Sequence, residues 1–212
     1  MLETLRNAFK IKDIRNRILF TFMMLIVIRI GSELPIPGVK GSVFQSWLNS
    51  KSTDGLGFFD AVTGGSFSQM SVFALNITPY ITSSIIMQLL TIAIPKLEEL
   101  QRDGEEGRKK IVEITRYLTI ALALIEAIAM VVGFYRSNYL TDKTPLVVIM
   151  VVTSLTAGSA VLMWIGERIT EKGVGNGISI VLTINIISRI PQDLSTLWEQ
   201  FIKSAANVPK AI

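Results

Sequence analysis

Glu126 is the residue best placed for chemistry. It is a lone carboxylate in the otherwise uncharged stretch Tyr117–Tyr135. A carboxylate at membrane depth can carry a proton or a cation, but a relay needs a second titratable group. The chain has no histidine and no cysteine. That removes the usual general base, the commonest metal ligand and the thiol nucleophile together. Serine–histidine and cysteine–histidine catalysis, histidine-bound metals and disulfides are all excluded, and no enzyme, cofactor or metal is expected. Glu126 therefore reads as an isolated acid, neutral or hydrogen-bonded to a neighbouring helix, and only secondarily as a coupling site. Gly173-Val174-Gly175-Asn176-Gly177 is glycine-rich like a phosphate-binding loop. It lacks a preceding strand and a Lys-Ser/Thr pair, so a tight turn into a helix explains it better. Ile77, Ile81, Ser84 and Gln88 step by four, three and four, which puts them on one helix face. Packing between helices would account for the isoleucines. Gln88, with Thr82, Ser83 and Ser84 nearby, points instead to a face that meets water or a bundle interior.

The elements that would hold these residues are membrane spans. Half of the 212 residues are apolar and 18% are charged, against about 25% charged in soluble domains; mean hydropathy is +0.48. No charge falls between Asp60 and Lys96, nor from Pro145 to Gly166. The latter run would measure about 33 Å as a helix, enough for a hydrocarbon core of ~30 Å. Five spans are expected, near 18–34, 77–95, 117–135, 145–166 and 178–190, the last stopped by Pro191. Residues 1–17 read as an amphipathic leader lying on the membrane surface, and residues 191–212 as a tail. Gly41–Gly57 and Lys96–Arg116 read as polar loops, and Arg29 as a snorkelling side chain. Gly64-Gly65 is a hinge, Ser66 a candidate N-cap for a short helix over 66–75, and Thr78 with Pro79 the start of the next helix. Thirteen Lys and Arg fall on the side of the leader and the 96–116 and 167–173 loops, and seven on the other. That bias places the N-terminus in the cytoplasm and, after five crossings, the C-terminus outside. The net charge of +4 thus follows membrane topology and does not call for nucleic acid.

Several stretches resemble the SecY family of protein-conducting channels. They are Asp13-Ile14-Arg15-Asn16 with Ile18-Leu19-Phe20-Thr21, Arg29-Ile30-Gly31, Gly64-Gly65, Val72 through Ile81, and Gly107-Arg108-Lys109-Lys110-Ile111. Met163 through Glu167 and Ile169 through Ser179 complete the set. The resemblance runs over essentially the whole chain and matches the family's N-terminal half. It implies an all-α membrane fold, a five-span bundle forming one half of an inverted repeat. It also implies passage of unfolded secretory polypeptides across the bacterial cytoplasmic membrane, and of membrane helices sideways into it. By that resemblance Ile77, Ile81 and Leu182 are this half's share of the apolar pore ring. Ser66, Phe67, Ser68, Gln69, Met70, Ser71, Val72 and Phe73 belong to the plug, and Ser84 and Gln88 to the lateral gate. Arg108, Lys109, Lys110, Arg168 and Lys172 face cytoplasmic partners. The partners implied are lipid, the translocating chain with its signal sequence, the small subunits SecE and SecG, and the motor ATPase SecA or the ribosome. The family protein is about twice as long, so a second half or self-association is expected to complete the pore. Asn76 stands where a small glycine is common, and Glu126 where an uncharged polar residue would be less surprising. Two other readings stay open: a half-channel fragment without transport activity of its own, and half of a small-solute secondary transporter.

Overall fold

The computed structural model describes residues 11–50, 57 and 60–198. Among these residues seven helices are named: α1 Lys12–Ser32, α2 Gly41–Ser50, α3 Thr78–Ala93, α4 Pro95–Arg102, α5 Gly104–Arg136, α6 Pro145–Lys172 and α7 Gly177–Trp198. Among the described residues, β structure is limited to two isolated antiparallel bridges, Pro35 with Ser71 and Val39 with Leu140. Residues 1–10 of the expected leader, residues 51–56 and 58–59, and the tail from 199 lie outside the described residues.

The long helices bury a narrow face and expose a wide apolar one. On α5 the buried positions Thr115, Thr119, Ala123, Ala127 and Val131 recur every four residues, one ridge packed between α3 and α6. Outside that ridge Ile120, Leu124, Ile125, Ile128 and Val132 are exposed. Each would forgo roughly 1.5–3 kcal/mol if it faced water, so the surrounding medium must be apolar. α5 and α6 are long and apolar enough to cross a membrane. α3 and α4 qualify only as a joint unit, bent by 102° at their junction, and the apolar part of α7, Gly177–Pro191, is shorter.

Two apolar clusters hold the bundle. One joins Phe44 and Leu48 of α2 to Phe67, Met70, Ala74 and Leu75, and these to Val131 and Phe134 of α5 and Val151 and Leu155 of α6. Phe44 stands edge-on to Phe67, Phe134 and Tyr139, with ring centroids 5.3, 5.5 and 5.7 Å apart. The other cluster joins Ile28 of α1, Phe73 and Ile77 to Leu162, Ile165 and Ile169 of α6 and Val181 of α7.

Several expected boundaries move. Residues 66–75 form no helix: the chain from 63 to 77 runs through consecutive turns. Met70 and Asn76 have φ of 52° and 54°, a left-handed backbone that interrupts a helix. The peptide groups are used elsewhere: Ser68 N donates to Asp60 Oδ1 at 2.8 Å, and Ile36 N to Met70 O and Val72 N to Leu34 O, both at 2.9 Å. Ser66 is not a cap; Thr63 Oγ1 instead receives Phe67 N at 3.4 Å. Thr78 is the first residue of α3 and makes no capping bond. The described part of the leader is continuous with α1, and the two expected loops hold α2 and, over 96–116, α4 with the start of α5. α7 passes through Pro191 to Trp198, since proline there deletes one N–H and leaves the rest of the ladder in place. Arg29 turns inward, donating to Ser188 Oγ at 2.9 Å and pairing with Glu33 at 3.4 Å.

Candidate functional site

α3 divides the polar residues of its sequence between two faces. Ser83, Met87 and Thr91 are buried, and the Ser83 and Thr119 hydroxyls meet at 2.6 Å, tying α3 to α5. On the other side Ile81, Ser84 and Gln88 line an open groove of about 550 Å³ with Tyr80, Arg116, Glu167 and Asn176. The three-and-four spacing thus produces the expected shared face from Ile81 onward. Ile77 leaves it. It precedes the helix and is 0% exposed, packed in the second cluster, against which Ile81 and Leu182 also rest. The three residues expected at a pore ring therefore belong to one apolar cluster. Ile77 is fully buried in it, and Ile81, which also lines the groove, and Leu182 are partly exposed.

At the groove's other wall Arg116 Nε pairs with Glu167 Oε1 at 2.8 Å, joining α5 to α6. That bond holds the Arg116 guanidinium above its ordinary pKa. The wall is charged but internally neutralised, and the groove sets these groups beside the apolar Ile81, Ile85, Val112 and Ile178. Among the described residues no cluster of acids, histidines or cysteines could hold a metal. Glu126 is half-buried on α5 and does not line the groove.

The glycine-rich stretch is a helix junction. Asn176 Oδ1 receives Ile178 N at 3.0 Å and Ser179 N at 3.4 Å, an N-cap for α7. Gly177 N donates to Thr170 Oγ1 at 2.9 Å, and Arg17 Nη1 and the Thr21 hydroxyl pin the turn to α1 through Gly173 O and Val174 N. Of the cationic residues, Arg108, Lys109 and Lys110 are exposed near the start of α5. Arg168 pairs with Glu171 at 2.8 Å and stacks over Trp164, while Lys172 is exposed at the end of α6.

The turn segment 63–77 is locked in place around this cluster. Gly158 of α6 lets it approach: a Cβ there would lie 1.9 Å from the Val72 carbonyl oxygen. On the α7 side Asp60 pairs with Arg189, and Asn185 Nδ2 donates to Asn76 Oδ1 at 3.0 Å. Sequence reasoning missed these pairs, and the Arg116–Glu167 pair as well. The available signal was the presence of Asn76, Asn185 and Arg189 in otherwise apolar stretches.

A helical bundle with a wide apolar exterior defines a multi-pass membrane protein. Residues 71–212 match the SecY family model. The SecY translocase subunit of Streptomyces scabiei is 41% identical over 212 residues, covering 94% of this chain and 48% of that protein. The Bacillus subtilis subunit is 42% identical, covering 96% and 48%. A solved SecY structure, described for a plug domain that stabilises the closed state of the translocation channel, superposes with a TM-score of 0.55 at 20% identity, covering 88% of this chain and 37% of that one. The chain belongs to the SecY family. It spans about half the length of the curated relatives it matches.

Proposed function

We propose that this chain supplies the N-terminal half of a protein-conducting channel in the bacterial cytoplasmic membrane. In this reading five spans cross the membrane with the N-terminus in the cytoplasm and the C-terminus outside. Unfolded secretory polypeptides pass through, and membrane helices leave sideways. The observation that carries the reading is the single apolar cluster that holds Ile77, Ile81 and Leu182, with Ile81 continuing from it into the groove. An apolar ring sheds water, which slows ions, and it makes no fixed hydrogen-bond demand on a passing chain. Segment 66–73 is the plug that covers this cluster from outside. Ser84 and Gln88 form one wall of the lateral gate. Arg108, Lys109, Lys110, Arg168 and Lys172 face a motor ATPase or a ribosome, and SecE and SecG are the expected small subunits.

The test is ion leak in a channel completed with a second half. Ile81→Gly should raise the leak well above that of Ile125→Gly, which removes a similar side chain from the outer face of α5. Equal leak from both leaves the cluster as plain packing. A second reading follows from the half-length match: alone, the chain folds but does not conduct protein, because the groove along Ile81, Ser84 and Gln88 stands open. Protease-protected substrate at two-half levels, from this chain reconstituted alone with a motor ATPase, would overturn it.

A further inference from the structure

Segment 60–76 packs into both apolar clusters, and it also makes polar contacts with α7 at both of its ends. At one end Asp60, whose side chain is 2% exposed, pairs through Oδ2 with the Arg189 guanidinium, itself 25% exposed. Its other oxygen receives Ser68 N at 2.8 Å. At the other end Asn185 Nδ2 donates to Asn76 Oδ1 at 3.0 Å, and Asn76 Nδ2 donates to Val62 O at 3.2 Å. Asn185 and Arg189 are four apart on α7 and so share one face. Between the two points the backbone comes close enough that a Cβ at Gly64, φ 68°, would lie 2.7 Å from the Asn185 carbonyl oxygen.

The two kinds of contact respond differently to displacement. Apolar packing can slide and weaken gradually, whereas a buried ion pair loses its compensation as soon as one partner leaves. Asn185 Oδ1 is buried without a hydrogen-bond partner. That leaves the amide point singly bonded and puts most of the grip on the ion pair. We propose that Asp60–Arg189 and Asn76–Asn185 form a two-point clasp on α7 that sets the threshold at which segment 60–76 leaves its seat. The proposal rests on the reading of this segment as a movable plug.

Hydrogen–deuterium exchange of the full chain in detergent tests it. Asp60→Asn keeps an acceptor for Ser68 N and deletes the charge; Asn185→Leu deletes the second point. Each should speed exchange across 63–76 by roughly tenfold or more, while α5 and α6 keep their protection. The double variant Asp60→Asn with Arg189→Gln, which keeps the acceptor for Ser68 N, should exchange no faster than Asp60→Asn alone, and additive increases assign the loss to packing and overturn the clasp. Unaltered exchange in both single variants also overturns the clasp and leaves the plug reading standing. Loss of protection in α5 and α6 together with 63–76 shows that the segment opens only with the whole bundle, which overturns the plug reading itself.

Discussion

Arg116 and Glu167 meet at 2.8 Å, yet the Arg116 side chain is 45% exposed. Solvent screening holds such a pair to about 1 kcal/mol or less. A double-mutant cycle with Arg116→Ala and Glu167→Ala should therefore give a coupling energy below about 1 kcal/mol in thermal unfolding; a much larger value would mean that the wall of the groove is drier than its geometry implies. Asn176 is different, because it serves two backbone donors at the start of α7. Asn176→Ala should cost about 0.5–2 kcal/mol, and Asn176→Asp should retain the stability, since aspartate caps as well and its charge suits a helix N-terminus. A loss in both variants would show that the amide nitrogen, not the capping oxygen, is what matters there.

At the scale of elements, α6 and the turn segment approach closely where Gly158 faces the Val72 carbonyl. Gly158→Ala forces backbone apart, and overpacking of this kind costs about 1–3 kcal/mol. The expected outcome is a lower unfolding midpoint with faster exchange at Val72–Leu75; an unchanged midpoint would mean that α6 moves aside freely. Legibility in the sequence followed the range of the interactions. α5 and α6 were plain from their uncharged runs, and the face of Ile81, Ser84 and Gln88 from its spacing, because both patterns are local. The short helix over 66–75 was expected from a local cap at Ser66. The segment turns instead because its peptide groups pair with Asp60, Leu34 and Ile36, partners that spacing does not reveal. α2 was hidden for a related reason. Phe44 and Leu48 sit in a polar stretch, and the rings that bury Phe44 come from three other parts of the chain. Ile77 obeyed the helical spacing in sequence but precedes the helix, so it is buried in the apolar cluster and does not line the groove.

For the whole molecule, the cationic bias predicts sidedness. Asp103 and Asp142 are both exposed, at the α4–α5 junction and between α5 and α6. Cysteines placed there should label from opposite faces of intact cells, position 142 from outside. Labelling of both from one face would sink the proposed topology. The absence of a regular helix from 63 to 77 bears on how the molecule changes shape. A helix carries its own hydrogen bonds and could slip into lipid intact. This stretch bonds in part to itself, but Val72 N depends on Leu34 O and Met70 O on Ile36 N, so travel strips those peptide groups of their mates. Hydrocarbon offers them nothing. In the proposed plug role the segment vacates its seat only into an aqueous vestibule, so displacement and flooding of the interior are one event, and agents that lower water activity should favour the seated form.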